Sequence, residues 1–554
     1  MTPRRLFFLY LIVLLIPQLD VCVTERMVGI GKVVLILLPL AFYWLFLLAF
    51  KKPSKAFLWA FPFAFLGAFQ IVLGYLYGHG VIGVDMWLTL TTTSPNEAGE
   101  MLTQIYPSVA AVCIIYLPTL IYAISHVKRE EPYNPKFLRR MRQGGWAMLA
   151  VALIPTAMAL GNKDYHFMDD FFPVNVCYNF KLALDRAKLS AKYVDRVKDF
   201  HFGVTESDSD TIPEVVLMVV GETSRATNWG IFGYERETTP RLAKTPNLLV
   251  FTDCMSQSNT THKSVPIILS AATAEDFDVL YESKGILAAA DEAGWATAFL
   301  SNEPRNHSFN DYLGEQAREV RFQRDSLHGS PHDNLLVPLL KDALQRHAGE
   351  RFFMVIHTYG AHPTYSDRYT REEAFFLPDK IIKSSKDTRD VLINAYDNAI
   401  RMTDCLLADF IAALDSTGRP AAMLYVSDHG EDIFDDHRNM YMHASPYPSY
   451  YQLHVPLLCW TSDAYKALYS ERVALMAGRQ QDPLQTDCAY PTLLSLMGIQ
   501  CQNNQTTLSL ADRNYRKKTR RSYLNDHNKT MRLEQMLDAE DIEVMKQRGM
   551  FVQE

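Results

Sequence analysis

Four residues in three short stretches carry the chemistry for which this chain is equipped. Val215–Val220 is an unbroken apolar run, read as a strand buried on both faces, and it leads into Gly221-Glu222-Thr223-Ser224-Arg225. A second such run, Ala421–Ser427, leads into Asp428-His429-Gly430-Glu431. Open α/β sheets hold their ligands at the carboxyl ends of buried parallel strands. Between the two runs lies Asn259-Thr260-Thr261-His262-Lys263-Ser264-Val265-Pro266. Pro266 reads as the first turn of a helix, which puts Thr261 at or just before that helix's N-terminus. Free N–H groups and the helix dipole there favour an anion. Two carboxylates (Glu222, Asp428), one imidazole (His429) and one threonine oxygen (Thr261) make a tetrahedral zinc site. Zinc would also lower the pKa of the Thr261 hydroxyl, otherwise a poor nucleophile. Thr260 and Ser264 compete for the nucleophile's role on spacing. The bland alternatives are a plain N-cap for Thr261 and ordinary strand-end polar groups for the rest.

A third apolar run, Phe352–Ile356, ends in His357-Thr-Tyr-Gly-Ala-His362-Pro. His362, past the strand end, is placed to bind a phosphate oxygen, act as general acid or hold a second metal. His357 is nearer the strand body and reads as structural. His443, in Tyr441-Met-His443-Ala-Ser-Pro446, follows the Asp428-His429 pair by a loop; a lone histidine there is more often structural. Asp435-Asp436-His437 is a second set of metal-ligand types, although an acidic loop cluster of this kind is usually just solvated.

These groups need a scaffold, and the hydropathy pattern describes one. The chain has 554 residues with 48% hydrophobic content, and 55 basic against 62 acidic residues leave a formal charge of −7. That length exceeds one domain, and that charge carries no nucleic-acid footprint. Apolar segments stand at about 6–19, 28–50, 57–77, 106–125 and 145–161, most of them near the ~20 residues that span a bilayer, the first and last short. Arg4-Arg5 before the first resembles a signal peptide's start, but no small-residue cleavage pattern follows, so the segment reads as retained. Basic residues cluster before the first segment, at Lys51, Lys52 and Lys55, and from Lys128 to Arg142, whereas Gly78 to Tyr106 has none. That alternation predicts a cytoplasmic N-terminus and five spans, with everything beyond about residue 162 outside the cytoplasm. In the uncharged-to-acidic outer loop, Ser94 and Glu97 form a capping box for a short surface helix. The functional reading of this loop is a lip for a lipid head group, with Glu97 facing its ammonium.

Residues 162–212 read as a bridge with helical stretches, and 213–554 as a separate domain. There strand-like runs (215–220, 247–252, 295–300, 352–357, 421–427, 455–460) alternate with helix-like ones (285–293, 333–346, 387–414, 489–497). The pattern predicts an α/β sheet with helices on both faces. Eight cysteines show no CxxC spacing, and Cys488 with Cys501 is the first expected disulfide. The basic run Arg513 to Arg521 reads as a solvated face, or as a contact for anionic head groups or a phosphorylated acceptor.

Gly221-Glu-Thr-Ser-Arg-Ala226, Gly233-Tyr-Glu-Arg-Glu-Thr-Thr-Pro240, Thr261-x-x-Ser-Val-Pro266, His357-Thr-x-Gly-Ala-His362-Pro363, Ser427-Asp-His-Gly-Glu431 and Tyr441-Met-His443 follow one another in order. Together they resemble the phosphoethanolamine transferases of Gram-negative inner membranes, in the alkaline phosphatase/sulfatase superfamily. The resemblance spans nearly the whole chain. It implies a five-helix transmembrane domain (1–161), a bridge (162–212) and a periplasmic α/β catalytic domain with a central, mostly parallel sheet (213–554). It implies a catalytic zinc on Glu222, Thr261, Asp428 and His429, with Thr261 becoming a phosphothreonine. His362 and His443 would hold the phosphoryl group or a second zinc, and Thr93 and Glu97 would contact the lipid donor. Phosphatidylethanolamine is the donor so implied, and lipid A, the lipopolysaccharide core or a periplasmic glucan is the acceptor. A phosphodiesterase or glycerophosphate transferase would share the chemistry at Thr261, and a decayed scaffold would lack it. A sulfatase would need a Cys or Ser nucleophile in another context.

Overall fold

The structure, a computed structural model, describes all residues except 26, 78–79, 93–94, 207–211, 326–331, 382–383 and 554; the side chains of 75–77, 89–92, 95–105, 107, 206 and 325 are also left undescribed. Two compact units divide near Asp185, inside the expected bridge and within one helix, Val174–Ala191.

The first unit is helical. Its principal helices are α1 Pro3–Thr24, α2 Gly29–Leu47, α3 Pro53–Trp59, α4 Phe61–Tyr77, α5 Val84–Thr92, α6 Pro95–His126 and α7 Pro135–Leu160. Among the described residues, four are long and apolar enough to cross a membrane: α1, α2, the Ser108–His126 part of α6, and α7. The expected third span is not one straight helix. It breaks into α3 and α4, bent by 62°, and the pair counts as a fifth span only if taken together. Pro62 accounts for the break: it has no N–H to donate and its ring crowds the carbonyl four residues back. The first and last segments, short as apolar runs, sit in helices of 22 and 26 residues, because the helices continue through polar flanks.

The second unit is built on a seven-stranded sheet. In chain order its strands are β1 Val215–Gly221, β2 Leu248–Phe251, β3 Ala296–Ser301, β4 Glu319–Phe322, β5 Phe352–His357, β6 Ala421–Ser427 and β7 Leu457–Thr461. Their spatial order is β2-β7-β6-β1-β5-β3-β4. Only β7 runs against its neighbours, so the sheet is mixed but mostly parallel. Strand β4 was not legible: Glu319 and Arg321 break its apolar pattern, as an edge strand tolerates. β1 is the centre, buried along its whole length, and its side chains alternate between two cores. Val216, Met218 and Val220 face one core, with helices α8 Thr261–Leu269, α9 Ile286–Glu292 and α10 Ala489–Leu496. Val215, Leu217 and Val219 face the other, with α11 Leu336–Arg346 and α12 Arg389–Asp415. Each fully buried Val or Leu contributes roughly 1.5–3 kcal/mol. A continuous apolar run is therefore what a strand covered on both faces requires.

The eight cysteines are all free, so the expected Cys488–Cys501 disulfide is not formed. Cys488 is buried and Cys501 is half-buried.

Candidate active site and metal centre

Parallel pairing brings the carboxyl ends of β1, β5 and β6 to one rim, since Val220 lies opposite both His357 and Val426. The chain leaves β1 through Glu222 and Thr223, and Thr223 takes φ 55°, a region that β-branched residues avoid. Its conformation is held by a hydrogen bond from its N–H to Asp428 Oδ1 (3.1 Å) and by Tyr396, whose hydroxyl donates to the Thr223 carbonyl (2.8 Å). The same Asp428 oxygen accepts from the His429 N–H at 2.7 Å. Two loops from distant strands are thereby fixed by one carboxylate oxygen, while the other, Oδ2, is buried without a hydrogen-bond partner.

Thr261 is the first residue of α8, and Thr260 is its N-cap. Pro266 sits in the second turn rather than the first, so the helix starts earlier than the proline suggests. The Thr261 hydroxyl lies 3.1 Å from His429 Nε2 and 3.3 and 3.4 Å from the two Glu222 oxygens. Its competitors are engaged elsewhere: the Thr260 hydroxyl with Ser258 Oγ at 3.2 Å, and Ser264 with the Ser258 carbonyl at 2.9 Å.

His443 reaches the same place from the loop after β6. Its neighbours Met442 and Ala444 both take positive φ (70° and 63°), so the histidine is carried on a strained turn. The turn is tied down by Gln452, which donates to the Met442 carbonyl, and by the Ala444 N–H, which donates to the Asn259 carbonyl. The His443 and His429 rings lie 4.2 Å apart between centres, and His362 stands 6.1 Å from His443. His357, by contrast, is enclosed below the rim and 2% exposed.

The electrostatics favour a cation. Burial pushes the Glu222 carboxyl well above its usual range, and nearby Asp428 and Glu303 push it further. Burial likewise raises Glu431, whose two oxygens lack hydrogen-bond partners and one of which lies 3.8 Å from His443 Nδ1. The imidazoles move the opposite way: burial lowers His429 and His443 to about 4. Packed carboxylates and neutral imidazoles are the donor set of a divalent metal. Glu222, His429 and His443 each offer a ligand atom, all within 4.8 Å of one another, and Asp428 Oδ2 lies 3.2 Å from His429 Nε2. The residues present therefore fit a metal ion.

Of the expected site residues, the structure brings together Glu222, Thr261, Asp428, His429 and His443, with His362 beside them. Thr93 lies outside the described residues; Glu97 falls in α6, its side chain undescribed. Sequence reading missed two participants. Glu431 closes the Ser427–Glu431 motif, and its spacing alone assigns it no role. Asp435, read as solvated, is buried and pairs with Arg225 at 2.6 Å and Arg389 at 2.7 Å. Asp436 and His437 stand with Glu540 at the surface, each offering a ligand atom within 4.8 Å of the others.

The sulfatase family matches residues 214–499 of the chain. Phosphatidylethanolamine transferase Mcr-2 of Escherichia coli is 30% identical over 412 residues, covering 69% of this chain and 73% of that protein. The chain belongs to the phosphoethanolamine transferase branch of the sulfatase family. The lipooligosaccharide phosphoethanolamine transferase A of Neisseria meningitidis, an integral membrane protein, shares its fold: TM-score 0.71 at 21% identity, covering 92% of this chain and 98% of that one. The C-terminal periplasmic domain of EcEptC from Escherichia coli, solved in complex with Zn, superposes with TM-score 0.54 at 20% identity, covering 61% and 97%. The chain spans about half the length of the first curated relatives it matches.

Proposed function

We propose that this protein transfers phosphoethanolamine from phosphatidylethanolamine, through a phospho-Thr261 intermediate, to lipid A, the lipopolysaccharide core or a glucan of a Gram-negative envelope. The observation that carries this is the Thr261 hydroxyl at the start of α8, within 3.4 Å of both Glu222 and His429. The named activity of the relatives supports it. Glu222, Thr261, Asp428 and His429 would hold a zinc ion. When bound, zinc supplies charge that favours an ionised threonine oxygen and offsets charge developing on phosphoryl oxygens.

In the first half-reaction, Thr261 Oγ gives up its proton and bonds to phosphorus as the bond to the diacylglycerol oxygen breaks. That oxygen takes a proton and leaves as diacylglycerol. In the second, an acceptor oxygen displaces Thr261 Oγ, which regains its proton. His362 and His443, whose ring centres lie 6.1 Å apart, would receive phosphoryl oxygens, and the N–H groups opening α8 would add donors beside Thr261.

The membrane helices give the donor lipid access. In this reading residues 1–161 are the membrane domain, 162–212 the bridge and 213–554 the catalytic domain. The protein resides in the inner membrane, with a cytoplasmic N-terminus and a periplasmic catalytic domain; Thr93 and Glu97 contact the donor.

Incubation of the purified full-length protein with phosphatidylethanolamine and zinc, followed by intact mass and peptide mapping, tests the proposal. One phosphoethanolamine on Thr261, absent in Thr261→Ala, is the expected result. No adduct and no free diacylglycerol would overturn the donor assignment and leave the phosphodiesterase or glycerophosphate reading.

A further inference from the structure

His362 hangs on the loop that follows β5, and nothing in the Thr261 mechanism explains how so irregular a segment keeps its place. The fastening is a single carboxylate two elements away. Asp333, half-buried just before α11, accepts the Tyr359 N–H at 2.9 Å on Oδ1 and the Gly360 N–H at 2.8 Å on Oδ2. On Oδ1 it also accepts from Asn302 Nδ2 at 2.7 Å, at the end of β3. A charged acceptor holding three donors is stronger than the same bonds to a neutral group.

The other side of the loop rests on the metal-ligand strand. The Ala361 N–H donates to the Glu222 carbonyl at 3.1 Å. Gly360 has φ +53°, and a Cβ there would stand 2.4 Å from the Glu222 carbonyl oxygen. The loop thus runs between Asp333 and the Glu222 backbone with no slack. Its next feature is the Tyr359 ring, stacked on the His362 imidazole at 4.9 Å between centres. Tyr359 is itself 1% exposed, with Arg324 and Arg368 over its ring at 3.6 and 4.2 Å. Each contact leads from Asp333 toward His362.

We infer that Asp333 is a positioning residue for the transfer reaction: it holds the Tyr359–His362 loop so that His362 faces the phosphoryl group on Thr261. The inference rests on the proposed use of His362. It separates from a general structural role because the two acceptor oxygens have different jobs. Asparagine at 333 keeps an oxygen for Tyr359 N–H and Asn302, but turns an NH2 group against the Gly360 N–H. Asp333→Asn therefore loosens the one link that abuts Glu222 and leaves the others.

The test is a double-mutant cycle on the full-length protein with phosphatidylethanolamine and zinc. Asp333→Asn should lower kcat by about ten- to a hundredfold, as for a misplaced catalytic group, with KM for the donor within about twofold. In a His362→Ala background the same substitution should cost little more, because both changes act through one imidazole. Losses that simply multiply would overturn the inference, as would a fall in stability with kcat unchanged. Asn302→Ala, which removes a single donor, provides a milder variant if Asp333→Asn folds poorly; it should reproduce the coupling at smaller size. A second arm needs no turnover: the rate at which diethyl pyrocarbonate modifies His362, read by peptide mapping, should change several-fold in Asp333→Asn and remain unchanged at His437. If the wild-type protein releases no diacylglycerol, the proposed function fails, and the labelling arm still decides whether Asp333 sets the place of His362. An unchanged labelling rate there would overturn the positioning role.

Discussion

Thr261, Thr260 and Ser264 are chemically equivalent on paper, and three-dimensional placement distinguishes them. Two hydroxyls are spent on Ser258, and the third faces a carboxylate and an imidazole. The sequence points to Thr261 but leaves Thr260 and Ser264 in competition, because a helix start cannot be read to one residue and Pro266 lies in the second turn rather than the first. The carboxylates were easier to see: each stands at the end of an apolar run, where polarity changes abruptly. Asp428 works through both oxygens, one bonded to backbone and one unpartnered. Asp428→Asn should therefore lose metal while retaining much of the loop geometry. Measured zinc content should fall well below that of the wild type. Added zinc, which stabilises a binding-competent fold by about 4 kcal/mol at a thousandfold excess over Kd, should no longer raise Tm. Gly360→Ala meets both a positive φ and the Glu222 carbonyl, so activity should fall at least about tenfold in a full-length assay.

At the scale of elements, the strands and long helices were legible because apolar runs and helical periodicity extend over many residues. The six runs singled out coincide with six of the seven strands to within a residue or two at most ends. What escaped is whatever depends on partners far away in sequence: the charged edge strand β4, the bend at Pro62 and the burial of Asp435. That last residue makes a prediction about pH. Burial alone would raise the Asp435 carboxyl, but Arg225, by charge and by hydrogen bond, and Arg389 together hold it below its usual range. A carboxylate depressed in the folded state adds stability that is fully present above its unfolded pKa of about 3.9 and is lost as pH falls through the folded value. Asp435→Ala should destabilise the catalytic unit by about 3–5 kcal/mol at pH 7, since it strands a buried guanidinium. The gap to wild type, followed by denaturant unfolding, should narrow only below about pH 4. A gap that stays constant down to pH 3 would show that the pair contributes nothing through charge.

Taken whole, the molecule joins helices suited to lipid with a second unit that has its own two cores and carries the candidate site. The division of labour predicts a division of kinetics. A version beginning at Arg186 should turn over a dispersed short-chain phosphatidylethanolamine at a rate near that of the full chain. On vesicles of the long-chain lipid it should fall behind by about a hundredfold, having lost the high local concentration that membrane residence gives. Equal rates on vesicles would remove any role for the helices in presenting the donor.

The position of β1 also governs how the catalytic unit comes into being. This strand is first in the chain yet central in the sheet, and the loop behind it is pinned by an aspartate that arrives 205 residues later. Its first neighbour, β5, begins at Phe352, and at roughly 5–20 residues per second synthesis leaves the strand waiting on the order of seven to twenty-seven seconds for it. During that wait a seven-residue, wholly apolar segment has no partner on either side, the condition under which nascent chains stick to one another. Production of this protein is therefore expected to be limited by protection of an early strand, and slowing synthesis or supplying a holdase should raise yield more than any substitution in the finished site.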